Sequence, residues 1–169
     1  MARLLSTLQP DGYALRPAGA EDVAAIKACI DASYGHYVER IGRLPGPMTD
    51  DYAGIVASRK VTVAESGGAI VGVLILDVTS DGFLLETVGV DPANRGKGLG
   101  RILLELAEAE ARRAGFDSIY LYTHQKMTEN QALYAKIGYV EYDRRVDAGL
   151  PRVYMRKDLS TASKANGLA

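Results

Sequence analysis

The chain has 169 residues, with 20 Lys or Arg against 21 Asp or Glu, a formal net charge of −1, 47% hydrophobic and 24% charged residues. At roughly 100–200 residues per domain this length holds one core, and near-neutral charge argues against electrostatic capture of nucleic acid. The lone Cys29 excludes an intrachain disulfide, and the apolar run Ala69 to Leu76 is far short of the roughly 20 residues that span a bilayer.

The first dozen residues carry no apolar stretch of secretory type, so a cytoplasmic location is expected. Tyr13 to Arg16 reads as a strand, and Glu21-Asp22 suit the first turn of a helix whose apolar face is Val23, Ile26 and Ile30. From Ser33 to Tyr52 glycines and prolines interrupt short helical fragments, which marks a loop region rich in aromatics. Lys60 to Ser66 and Ala69 to Val78 read as strands joined at Gly67-Gly68, and Asp81-Gly82 turns the chain into a third strand, Phe83 to Val90.

Beyond Asp91-Pro92 the period becomes helical, with Ile102, Leu103, Leu106 and Ala111 on one face and Gly115 as the stop. Ser118 to Thr123 is a strand. Thr128 to Gln131 has capping-box spacing and opens a short helix in which Leu133 and Ile137 share a face. Strands Tyr139 to Arg145 and Arg152 to Arg156 follow, and the polar tail 160–169 is expected to fray. The order predicts an α/β (α+β) fold with one domain over 1–159.

The most informative stretch is Val88-Gly-Val-Asp-Pro-Ala-Asn-Arg-Gly-Lys-Gly-Leu-Gly-Arg, a strand, a basic glycine-rich loop and a helix start. Gly96, Gly98 and Gly100 let the backbone approach a ligand, so amides converge where the helix begins, and Arg95, Lys97 and Arg101 add charge. A diphosphate suits such a cradle. The P-loop pattern fails because Lys97 precedes Gly98 and not Ser or Thr. The dinucleotide pattern fails because Arg101 or Leu103 stands where its third glycine belongs.

Arg95-Gly-Lys-Gly98-Leu-Gly100 resembles the Arg/Gln-x-x-Gly-x-Gly/Ala loop of the GCN5-related N-acetyltransferase (GNAT) family, and Asn130-Gln-Ala-Leu-Tyr134-Ala-Lys-Ile-Gly138-Tyr is a second motif similar to it. The resemblance covers Ile70 to Tyr139 and, more loosely, Tyr13 to Leu159. It implies a central mixed, mostly antiparallel sheet flanked by helices, and acetyl-CoA (CoA) as the cofactor. It also implies that Val88, Gly89 and Val90 offer backbone groups to the pantetheine arm by strand-like pairing, that Arg95, Gly96, Lys97, Gly98, Leu99, Gly100 and Arg101 hold the diphosphate, and that Asn130 faces the cofactor. Pairing through terminal strands, common in that family, would make a homodimer.

By the same resemblance Tyr134 lies near the cofactor sulfur, where its phenol stabilises the departing thiolate. Full proton transfer from a phenol to a thiolate is uphill by roughly 2 kcal/mol. Glu86 is the carboxylate candidate for accepting the amine proton, directly or through water. The direct route spans about 6 pKa units, roughly 8 kcal/mol, for unshifted groups. Tyr34, Tyr37, Arg40 and Tyr52 either line the acceptor pocket or pack as core, and His124, at a strand end bordering that cavity, is a polar wall residue in preference to a base. His36 and His124, the only histidines, lack metal-ligand spacing, so no metal is expected.

The expected activity is an acyltransferase reaction on groups other than amino-acyl groups: acetyl transfer to a primary amine, a small molecule being favoured, by direct attack with both substrates bound. The alternatives are a non-catalytic acyl-CoA sensor and a protein lysine or N-terminal acetyltransferase. No nucleic-acid or membrane partner is expected.

Overall fold

The computed structural model describes residues 12–160, so the expected tail falls outside the described residues except for Ser160. Seven strands form one mixed sheet in the order β1-β2-β3-β4-β5-β7-β6. The chain divides into two compact units, one of residues through Leu76 with Thr87–Glu105, the other of Asp77–Glu86 with residues from Leu106.

In the first unit β1 (Ala14–Pro17) pairs antiparallel with β2 (Lys60–Ser66), and β2 pairs antiparallel with β3 (Ala69–Thr79). Val71 to Leu76 are buried without interruption, the mark of a strand covered on both faces. Helix α1 (Val23–Tyr34) buries Ile26, Cys29, Ile30 and Ser33. The two isoleucines pack with Tyr52, Ile55, Val61, Val63, Val73 and Ile75. Val23, expected on the apolar face, is only partly buried at its rim.

The loop region holds α2 (Tyr37–Ile41) and is followed by a helix that the sequence pattern did not announce, α3 (Tyr52–Ser58). Asp51 caps α3 by accepting from Gly54 N at 3.3 Å. Arg16 fastens β1 to its neighbours, donating to both Asp22 oxygens at 2.7 and 2.8 Å and to Glu65 Oε1 at 2.6 Å.

In the second unit the first half of β4 (Gly82–Val90) runs parallel to β5 (Ser118–His124), in register at Leu84↔Tyr120 and Leu85↔Leu121. Strand β7 (Leu150–Asp158) lies antiparallel to β5 and to the edge strand β6 (Val140–Asp147).

Two local expectations are corrected. Helix α4 (Leu99–Arg113) fully buries Leu103, Leu104, Ala107 and Ala111, while Ile102 and Leu106 are half-exposed. Its buried face is turned towards Glu108, whose carboxylate pairs with Lys157 Nζ at 2.5 Å. Helix α5 (Thr128–Lys136) has Met127 as its N-cap and no side-chain cap, so the capping box does not form. Gln131 instead donates to the carbonyls of His124 and Gln125, at 3.3 and 3.0 Å. Tyr134 is the buried residue of α5, and Leu133 is exposed.

Candidate functional site

Within the first unit, the C-terminal end of α1 and the second half of β4 are joined by side chains. Tyr34 Oη donates to Val88 O at 2.8 Å. Ser33 Oγ lies 2.7 Å from Cys29 O and 2.9 Å from Val90 O, so its one proton is shared between two carbonyls. A methyl on Gly89 would sit 3.0 Å from Ile30 Cδ1 and 3.1 Å from Ser33 Oγ, so a side chain there would make Ile30 and Ser33 give way by a few tenths of an ångström. Cys29, beside this contact, has its thiol pushed up to about 11 by burial. It is protonated at neutral pH and a poor nucleophile.

The loop that follows is anchored at both ends. Asp91 N donates to Val71 O at 2.8 Å, and its carboxylate accepts from Ala93 N at 2.9 Å, closing a single 3-10 turn. At the other end Leu99 is buried where β3 carries Gly72, whose missing Cβ leaves room for Leu99 Cδ2 and Leu103 Cδ1, at 3.0 and 3.2 Å from that position. Between the anchors Gly96 and Gly98 have φ of 74° and 86°, the left-handed region, with no atom of the described residues within 4 Å of the point where a Cβ would stand. The first ladder bond of α4 runs from Ile102 N to Gly98 O at 3.1 Å, so the amides of Leu99, Gly100 and Arg101 precede the helical bonding pattern.

The three loop cations are not equivalent. Arg95 Nη2 donates to Ser33 O at 2.6 Å. Arg101 Nε donates to Glu105 Oε1 at 3.0 Å in an exposed pair. Lys97 is exposed, with no ion-pair partner among the described residues.

Of the residues assigned to the acceptor, Tyr34 is half-buried and engaged on β4 as described. Tyr37 is buried, with the His36 ring 3.8 Å away between centroids and the exposed Arg40 guanidinium 5.3 Å above its own ring. Tyr52 belongs to the core of the first unit and donates to Pro47 O.

The remaining candidates lie in the second unit. Glu86 is half-buried on β4. His124 is buried at the end of β5, where its Nδ1 accepts from Lys126 N at 3.0 Å, an arrangement that leaves the neutral ring's proton on Nε2. Asn130 Nδ2 lies 3.7 Å from Met127 Sδ. Tyr134 is buried edge-on against Tyr139, ring centroids 5.7 Å apart, and its carbonyl accepts from Tyr139 N at 3.0 Å. The Tyr139 phenol is itself buried with no hydrogen-bond partner among the described residues, and burial raises its pKa far above the usual range.

Residues 57–141 match the model of the acetyltransferase (GNAT) domain, half of the chain. The protein belongs to the GNAT acetyltransferase family. Among GNAT structures, PaiA N-acetyltransferase from Thermoplasma acidophilum in complex with coenzyme A has the same fold, with a TM-score of 0.72 at 17% identity over 86% of this chain and 98% of that one. The structure of yncA from Salmonella typhimurium, with its cofactor acetyl-CoA, aligns at a TM-score of 0.65 and 27% identity, covering 88% of this chain and 94% of that one. A mycothiol acetyltransferase from Jonesia denitrificans is 33% identical over 93 residues, 54% of this chain and 30% of the relative. The chain thus spans less than a third of the length of that relative. The GNAT family uses acetyl-CoA as its acyl donor.

Ser33 and Gly72 escaped the sequence reading, although both left a signal. Ser33 is seven residues beyond Ile26, a polar group on an apolar helix face. Gly72 interrupts a β-branched run, a common sign of close approach by another element.

Proposed function

We propose that the protein is an acetyl-CoA-dependent N-acetyltransferase that acts on a primary amine of a small molecule by direct attack in a ternary complex. One observation carries the reading: a strand-to-helix loop with two left-handed glycines, open space above them, helix-start amides and an exposed lysine. That donor set fits a diphosphate and has no need of a metal. Val88 to Val90 and the loop Gly96 to Arg101 are assigned to CoA, together with Asn130. Bound there, CoA supplies the acetyl thioester.

The chain's own residues do the rest. Glu86 takes the proton that the attacking ammonium must lose, directly or by way of water, because an amine of pKa near 10.4 has no lone pair to offer at neutral pH. The Tyr134 phenol donates a hydrogen bond to the departing sulfur. Tyr34, Tyr37, Arg40 and His124 are assigned to the acceptor side, and Tyr52 to the core of the first unit. The high thiol pKa of Cys29 supports direct transfer over a cysteine-linked route. The relative named for mycothiol favours a small-molecule acceptor over a protein.

The test is calorimetric titration of CoA, followed by thiol release from acetyl-CoA with a panel of amines. Glu86→Gln and Tyr134→Phe should each lower kcat by roughly 100-fold or more, the usual weight of acid–base groups, with CoA affinity within about twofold of wild type. CoA binding without turnover on any amine would leave a sensor, and turnover on peptides alone would point to a protein substrate. Absence of CoA binding would overturn the proposal.

A further inference from the structure

We infer that Arg95 is a positioning residue that acts on the donor site through the end of α1, and is not a contact to the diphosphate. The inference rests on the CoA-binding reading above. Arg95 Nη2 is 2.6 Å from the carbonyl of Ser33, in the last turn of α1, where carbonyls run out of helical donors and a cation is favoured by the helix dipole. A charge-assisted bond of that length holds the guanidinium against the protein.

The residue that receives Arg95 is also the one that reaches the strand. Ser33 shares its hydroxyl proton with Val90 O, and the next residue, Tyr34, donates to Val88 O. Three bonds therefore strap the loop, the helix end and the pantetheine strand together, with Gly89 letting the helix come close enough for them to form. Arg95 sets the loop against α1, and α1 sets the two carbonyls of β4. Removing it should loosen the strand that orients the thioester, and so lower kcat, without removing a charge from the phosphate cradle. That electrostatic work falls to Lys97 and the helix-start amides.

The test compares two donors and two salt concentrations. S-acetylpantetheine lacks the diphosphate, so a residue that touches phosphate matters only for acetyl-CoA. Arg95→Met, at an exposed position where folding is not at risk, is expected to lower kcat by about tenfold with both donors alike, with a smaller change in KM. Calorimetry of CoA binding between 50 and 300 mM salt should show the wild-type salt slope, because the phosphate contacts remain. Ser33→Ala should give the same kcat signature, and the double variant should lose little more than either single one, since all act through one strap. A loss confined to acetyl-CoA, expressed in KM and accompanied by a flattened salt slope, would overturn the inference. Should S-acetylpantetheine prove not to be a substrate, the salt slope alone decides. Wild-type protein that fails to bind CoA would instead sink the functional proposal, a separate outcome.

Discussion

Helix α1 with the strand end it packs on, and the glycine loop that follows, are parts of one compact unit built on opposite principles. A methyl at Gly89 would crowd Ile30 and Ser33, whereas a methyl at Gly98 would meet none of the described residues and only the φ of 86° objects. The ion pairs repeat the contrast. Asp22 is buried beside Arg16, which also holds Glu65, while Arg101 and Glu105 face solvent with side chains 80% and 61% exposed. One region commits its polar groups to the protein, and the other leaves backbone amides and a lysine for a ligand.

Substitutions can break this contrast. The largest effect is expected from Arg16→Met, which leaves the buried Asp22 carboxylate with only the Gly19 amide as partner, a loss of about 2–3 kcal/mol. Urea unfolding would measure it, and a loss below 1 kcal/mol would mean that the network adds little. The same pair gives the fold an acid limit. The Arg16 guanidinium holds the Asp22 carboxyl down to about 2, below the ordinary value near 3.9. Its contribution is therefore complete above about pH 4 and is lost as pH falls towards 2. Acid titration of the wild type should show that limb, and Arg16→Met should flatten it.

Gly89→Ala comes next. Overpacking of this kind costs about 1–3 kcal/mol, and a Tm lowered by roughly 2–4 °C for each of them is expected for a domain of this size. Gly98→Ala sharpens the comparison from the other side. A left-handed alanine costs roughly 1–2 kcal/mol, but its methyl also enters the open space over the loop, so calorimetry should find CoA affinity reduced more than for Gly89→Ala. The smallest effect belongs to Arg101→Gln. An exposed i,i+4 pair contributes about 0.3–0.5 kcal/mol, a shift in Tm of about 1 °C that should vanish in high salt. A larger shift would mean that the loop is knitted into the fold as α1 is.

Much of this was legible beforehand wherever the signal is local. The hairpin at Gly67-Gly68, the strand at Ser118, the long helix ending before Gly115 and the glycine loop between strand and helix are each written in a few neighbouring residues. The reading slipped where a neighbour outside the helix itself decides. Thr128 to Gln131 has capping-box spacing, yet Gln131 is drawn to the carbonyls of His124 and Gln125, and α5 buries Tyr134 instead of Leu133. The face of α4 is turned because Lys157 makes the burial of Glu108 tolerable.

The sequence by itself determined the period of the strands and of the longer helices, the glycine pattern at the strand-to-helix junction, and through them the family and the acyl donor. These follow from steric rules that act over a turn of helix or a pair of strand residues. Only the tertiary structure decided which cation is tied down, which carbonyls of β4 are engaged and which glycine serves packing. Ser33 meets Val90, and Arg95 meets Ser33, across 57 and 62 residues of chain. Contacts at such separations are selected by how the whole core closes, and no short window of residues encodes them.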